Sequence, residues 1–133
     1  MAGPRSPDGP KPLTARAALG KRAEAAVAEH LGTMGIEVID ANVRVGRFEI
    51  DLLARDGEVI VVVEVRTRGA GAWVRALDSI DWRKRQHIRH AGERLWRDRF
   101  ARRKDVERMR FDCASVTFDA EGGAHVEYVR AAF

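Results

Sequence analysis

The sequence predicts an α/β fold, a central mixed β-sheet flanked by α-helices with elements in the order α-β-β-β-α-β-β. Three observations carry this. Two stretches, beginning near Leu19 and near Lys84, repeat apolar residues at helical spacing. Residues 59–63 (Val-Ile-Val-Val-Val) are apolar on both faces of a strand, as a central strand covered on both sides requires. Three strand-like segments joined by glycine turns precede the second helix and two follow it. A strand–helix–strand crossover then adds a parallel pair to a sheet begun by hairpins.

Each element follows from local signals. Thr14 suits an N-cap, and Leu19, Ala23, Ala26, Val27, His30, Leu31 and Met34 continue at helical spacing to Gly35, which predicts a helix from Thr14 to about Met34. Residues 36–45 read as a strand, Gly46 as a turn, and residues 48–55 as a second strand. Asp56-Gly57 is a type I′ hairpin signal, leading into a third strand over residues 58–68. Residues 69–75 form a small-residue loop carrying Trp73. A long helix is expected over about 79–103, capped by Asp78 or Ser79, with Lys84, Ile88, Ala91 and Leu95 on one face. Residues 111–118 and 125–129 read as two last strands around Glu121-Gly122-Gly123. All four prolines lie in the first 12 residues, so residues 1–13 are expected to be a disordered tail and residues 14–133 one domain.

Composition narrows the function classes. The 45% hydrophobic and 33% charged shares are those of a soluble globule. The lone Cys113, expected in the core, excludes an internal disulfide framework and a Cys-rich zinc site. The longest apolar run is far too short for a membrane span, and the N-terminus lacks the apolar core of a signal peptide, so a cytoplasmic location is expected. The net charge of +4 is unevenly spread: residues 66–110 hold 15 basic and 6 acidic residues, a net of +9, and the rest a net of −5. That asymmetry fits contact with a polyanion beside a site that needs carboxylates, or simply a solvated arginine-rich helix.

The most informative segment is Phe48-Glu-Ile-Asp51 followed by Val63-Glu-Val-Arg66. A turn centred on Asp56-Gly57 places Glu49 opposite Glu64 and Asp51 opposite Val62. Glu49, Asp51, Glu64 and Arg66 then share one face, with Asp51 and Glu64 diagonal neighbours about 7–8 Å apart at the backbone. A carboxylate ending the apolar run of a central strand is costly to bury, and opposed acids repel. A divalent cation relieves both problems. So does a structural cluster in which Arg66 and Arg44 neutralise the acids.

Gly20-Lys-Arg-Ala-Glu24, Phe48-Glu-Ile-Asp51, Val63-Glu-Val-Arg66, Ile80 with Lys84, Arg110-Phe-Asp112 and the closing Ala132-Phe133 stand in the order and at the spacings of the YraN-like family, which the chain resembles from about Gly20 to Phe133. That family is similar to the restriction-endonuclease-like PD-(D/E)XK superfamily and lies nearest the archaeal Holliday-junction resolvases. The resemblance implies a nuclease fold and metal-dependent phosphodiester hydrolysis in branched or structured DNA, leaving 5′-phosphate and 3′-hydroxyl ends. It makes Asp51, Glu64 and the Val65 carbonyl the ligands of Mg²⁺ or Mn²⁺. Arg66 stands in the place of the superfamily's lysine, and Glu24 matches an acid that resolvase-like members add. Glu24 lies at the edge of its helix's buried stripe, from which it can reach the sheet or pair with Lys21 or Arg22.

Arg66 departs from the superfamily's lysine: arginine cannot act as a general base, although it can clamp a phosphate. Lys84 can compensate, because its face of the helix leads back to the sheet, or it can merely snorkel at the helix start. Phe48 replaces a glycine usual before Glu49, and Val74 another after Trp73. Arg68, Trp73, Arg75, Arg83, Lys84 and Arg85 are the candidate nucleic-acid contacts, and Arg110 with Asp112 reads as a structural ion pair. His30 is expected in the core, and His87 and His90 on the basic face of the long helix. Val126, Tyr128 and Phe133 are candidates for a homodimer interface. Three functions remain open: a metal-dependent endonuclease, a nucleic-acid-binding module that has lost catalysis, and a protein-interaction scaffold with a structural acidic cluster.

Overall fold

The computed structural model describes residues 14–68 and 81–133. Its elements are α1 (Ala15–Thr33), β1 (Glu37–Val45), β2 (Phe48–Asp56), β3 (Val59–Arg68), α2 (Trp82–Leu95), β4 (Arg108–Phe118) and β5 (Ala124–Val129). The strands form one five-stranded mixed sheet in chain order, β1-β2-β3-β4-β5. Only β3 and β4, joined through α2, run parallel; the hairpins make the other pairs antiparallel. The expected order of elements is therefore the observed one. No helix among the described residues is long and apolar enough to cross a membrane.

The helices cover opposite faces of the sheet. Ala23, Val27 and Leu31 of α1 pack with Leu52, Ala54, Val61, Val63, Ala114 and Val116. Ile88, Ala91 and Leu95 of α2 pack with Leu53, Ile60, Val62, Phe111 and Cys113. Neighbouring residues of β3 enter different clusters, which is why residues 59–63 must be apolar throughout. Thr14 caps α1 as expected, its hydroxyl accepting from the Ala17 N–H. His30 is half-buried rather than in the core. It faces the Tyr128 ring at 6.0 Å and lines a groove with Glu29, Thr33 and Val126.

Two expectations about α2 are corrected. Its N-cap is Asp81, whose carboxylate accepts from the Lys84 N–H, and not Asp78 or Ser79, which lie outside the described residues. It also stops at Leu95 and gives way to a π-helical turn over Trp96–Phe100. Regular α spacing after Leu95 would turn Arg99 inward. The wider turn brings Phe100 inward instead, where it is buried.

The hairpin between β2 and β3 turns at Gly57-Glu58, one residue later than expected, since Asp56 pairs with Val59. Gly57 supplies the positive φ of 62° at the first turn position. Asp56 stays in the strand, where the Arg110 Nη1 holds its carboxylate at 3.0 Å. The slip moves every cross-strand pairing by two residues, so side chains keep their faces but change their partners. Glu49 therefore does not oppose Glu64; Asp51 and Glu64 instead each follow directly on the last pair, Leu52↔Val63.

The ladder between β2 and β3 ends at Leu52↔Val63, whereas β1–β2 runs on to Val45↔Phe48 and β3–β4 to Arg68↔Thr117. The sheet forks there. Alternation along β2 also breaks at the fork: Leu52 packs on the α1 side, yet Ile50 joins the α2-side cluster.

Candidate functional site

Asp51 and Glu64 are the first residues beyond the last ladder pair on their strands, at the crotch of the fork. The Val65 N–H has no ladder partner on β2 and donates instead to the Asp51 Oδ2 at 2.8 Å. That bond fixes the carboxylate beside Glu64, which is only 4% exposed, and the two carboxyl groups lie within hydrogen-bonding reach. Burial raises Asp51 above the usual carboxylate range, while the Val65 N–H, Glu64 and Lys84 pull it down. Glu64 is pushed up to about 8, first by burial and then by the charge of Asp51. In the absence of a cation the pair thus shares a proton at neutral pH.

Two cations converge on Glu64 without a hydrogen bond to it. The Arg66 Nε is 3.7 Å from its Oε1, and the Lys84 Nζ is 3.9 Å away. Lys84 arrives from the first turn of α2 on the Ile88 and Leu95 face, so the helix aims it at the fork. Among the described residues, the Arg66 Nε and Arg68 Nε are buried without a hydrogen-bond partner. Both alternate with Glu64 along the end of β3 and so share its face. Arg44 pairs across from Glu49 and is exposed.

Glu24 sits half-buried on α1 and is held by Asn42, whose Nδ2 lies 3.3 and 3.2 Å from its two carboxylate oxygens; Lys21 is 3.6 Å away. The same Nδ2 donates to the Glu49 Oε1 at 3.1 Å. Asn42 is the residue that sequence reasoning missed. Its signals were an asparagine within a strand, where it is disfavoured, and a tolerance for left-handed backbone, here φ 52°.

Asp51 and Glu64 are hard oxygen donors side by side, and Mg²⁺ is typically held by one or two carboxylates with its other positions left to water and substrate. The donor set fits such an ion. Among the described residues no group of three or more His, Cys, Asp or Glu is arranged to hold a metal.

Of the candidate nucleic-acid contacts, Arg83 is exposed on the first turn of α2, Arg85 is half-buried there, and Arg68 closes β3. Trp73 and Arg75 lie outside the described residues. Phe48 stacks on His87 with ring centroids 4.9 Å apart, tying the start of β2 to α2. Arg110 and Asp112 form the expected structural pair at 2.9 Å, with Asp112 fully buried and also bonded to the Tyr128 hydroxyl and the Ala131 N–H. Burial and the Asp112 carboxylate raise the Tyr128 phenol well above its ordinary range. Tyr128 is thus bonded within the chain, and Phe133 packs on Phe111 at 5.7 Å; both side chains are half-buried.

The motifs at this fork have relatives elsewhere. The chain is 64% identical over 119 residues to UPF0102 protein sce2912 of Sorangium cellulosum, covering 90% of this chain and 83% of that protein. It is 41% identical over 118 residues to a UPF0102 protein of Alkalilimnicola ehrlichii, covering 88% and 87%. A UPF0102 protein of Acidothermus cellulolyticus is 35% identical over 127 residues, covering 90% and 96%. Residues 23–116, from α1 through most of β4 and thus the whole fork, match the family described as uncharacterised protein family UPF0102, and the chain belongs to that family, the YraN-like proteins.

Proposed function

We propose that this protein is a metal-dependent endonuclease of the PD-(D/E)XK type, working in the cytoplasm on phosphodiester bonds of branched or otherwise structured DNA. The observation that carries this reading is the fork: the buried Glu64 beside a half-buried Asp51, faced by Arg66 and Lys84, neither hydrogen-bonded to Glu64. Asp51 and Glu64, with the Val65 carbonyl, would hold Mg²⁺ or Mn²⁺. When bound, the ion supplies Lewis acidity and a water acidic enough to attack phosphorus. Lys84 and Arg66 grip phosphate oxygens and offset the charge that develops there. Arg66 works as a clamp, since arginine does not give up its proton. Glu24 orients water from the α1 side. Symmetric cuts in a junction need two sites, so a homodimer acts on it.

The test is cleavage of four-way junction, flap and linear duplex DNA with Mg²⁺ or Mn²⁺. Wild type cuts the branched substrates, and Asp51→Ala or Glu64→Ala lowers the rate by more than about a hundredfold, beyond the 10–100-fold loss usual for residues that only support metal ligands. Undiminished cleavage by both variants overturns the site. Binding without cleavage under either metal establishes the second reading, a non-cleaving nucleic-acid-binding module, which the arginine at position 66 favours. Absence of salt-dependent binding leaves the interaction scaffold.

A further inference from the structure

We propose that Asn42 is a positioning residue that, through a clamp shared with Glu24, holds Glu49 beside Asp51, so that a divalent cation at the fork has a third carboxylate near its two ligands. The inference rests on reading Asp51 and Glu64 as cation ligands, and it concerns a residue that takes no part in holding the ion directly.

Three elements meet at Asn42. It lies on β1 between the pairs Ala41↔Leu52 and Val43↔Ile50, and hence abreast of Asp51. Glu24 reaches it from α1 and Glu49 from β2. A primary amide offers two N–H donors and one carbonyl acceptor. Here the Nδ2 serves both carboxylates, and the Oδ1 accepts from the Lys21 ammonium. The amide orientation is thus dictated by its partners, because the reverse would set an oxygen against two acids and an NH₂ against a cation. Without it, Glu24 and Glu49 would repel each other and swing towards solvent. Glu49 already lies near enough to Asp51 to oppose its ionisation. A carboxylate held there lowers the energy of a cation at the fork and accepts hydrogen bonds from its waters, as supporting residues around metal ligands do.

The left-handed backbone of Asn42 supplies a clean test. Glycine adopts a φ of 52° without strain, so Asn42→Gly removes the clamp and spares the strand. Mn²⁺ is titrated into the metal-free full chain by calorimetry, with the melting midpoint measured in parallel. Asn42→Gly should weaken Mn²⁺ binding about tenfold and leave the metal-free midpoint within a few degrees of wild type. Glu24→Gln combined with Glu49→Gln should cost a similar factor, and adding Asn42→Gly to that pair should change nothing more. Wild-type affinity in Asn42→Gly, or a loss that adds in full to the double variant, overturns the clamp while the metal site stands. A wild-type chain that binds no Mn²⁺ overturns the metal site, and the clamp with it.

Discussion

At Glu64 ionisation is opposed twice, first by burial and then by the neighbouring Asp51. In the unfolded chain the group titrates near 4.5, and in the folded chain it keeps its proton up to about 8. Between those values the folded state carries a proton that the unfolded state lacks, so stability falls as pH rises. The contribution is complete below about pH 4.5 and gone above about pH 8. The melting midpoint of the metal-free chain should accordingly fall between pH 5 and pH 8. Glu64→Gln removes the titration and should be about 1–3 kcal/mol more stable than wild type at pH 8, with the difference closing towards pH 5. Parallel curves for the two chains would show that Glu64 ionises without hindrance. This residue was conspicuous in the sequence because a carboxylate at the end of an apolar run breaks the rule of apolar burial. Asp51 was legible too, but only as a diagonal neighbour of Glu64, because a one-residue shift in a glycine turn changes the register without moving either side chain to the other face.

At the scale of elements, α2 shows how far periodicity reaches. Ile88, Ala91 and Leu95 mark its buried stripe in sequence and structure alike. Its ends were less legible. Asp78 and Ser79 were the expected caps, yet Asp81, an equally good cap residue that sequence reasoning passed over, begins the helix. The π turn was hidden too, since only packing decides that Phe100 and not Arg99 goes inward. Gly92 reports how closely α2 lies on β4. A Cβ there would sit 2.5 Å from the Phe111 Cε1 and 3.1 Å from the Met109 Sδ. The Phe111 ring is held between Phe133 at 5.7 Å and the Arg89 guanidinium at 5.2 Å and borders a cavity of about 450 Å³, so any shift would break those contacts. Alanine at position 92 gains about 1 kcal/mol of helix propensity but brings about 1–3 kcal/mol of overpacking. Gly92→Ala should therefore lower stability by up to about 2 kcal/mol in denaturant titration. A variant as stable as wild type would mean that the ring moves aside freely.

Across the whole molecule, the excess charge of residues 66–110 is smaller in effect than its count. Arg110 is spent on Asp112 and Asp56, and Arg103 on Asp105, which Arg55 also grips. Those contacts hold Asp105 well below the usual carboxylate range. They fasten strand ends and loops and take those two arginines out of the basic excess. The basic groups nearest the fork are Lys84 and Arg83 on the first turn of α2 and Arg66 and Arg68 at the end of β3, while Arg97, Arg102, Lys104 and Arg108 are exposed farther along the chain. Arg16 is exposed on α1, across the sheet from α2. If DNA lies over the fork on the α2 side, the logarithm of its affinity against the logarithm of salt concentration has a slope set by the phosphates contacted there. Arg83→Ala should weaken binding alike for all sequences and reduce that slope by about one, whereas Arg16→Ala should change neither. Fluorescence anisotropy with one junction substrate over a range of KCl concentrations measures both. Equal losses in the two variants would mean that the polyanion is held by diffuse charge around the whole protein. A loss confined to Arg83→Ala would tie the backbone to the face on which Glu64, Arg66 and Lys84 meet.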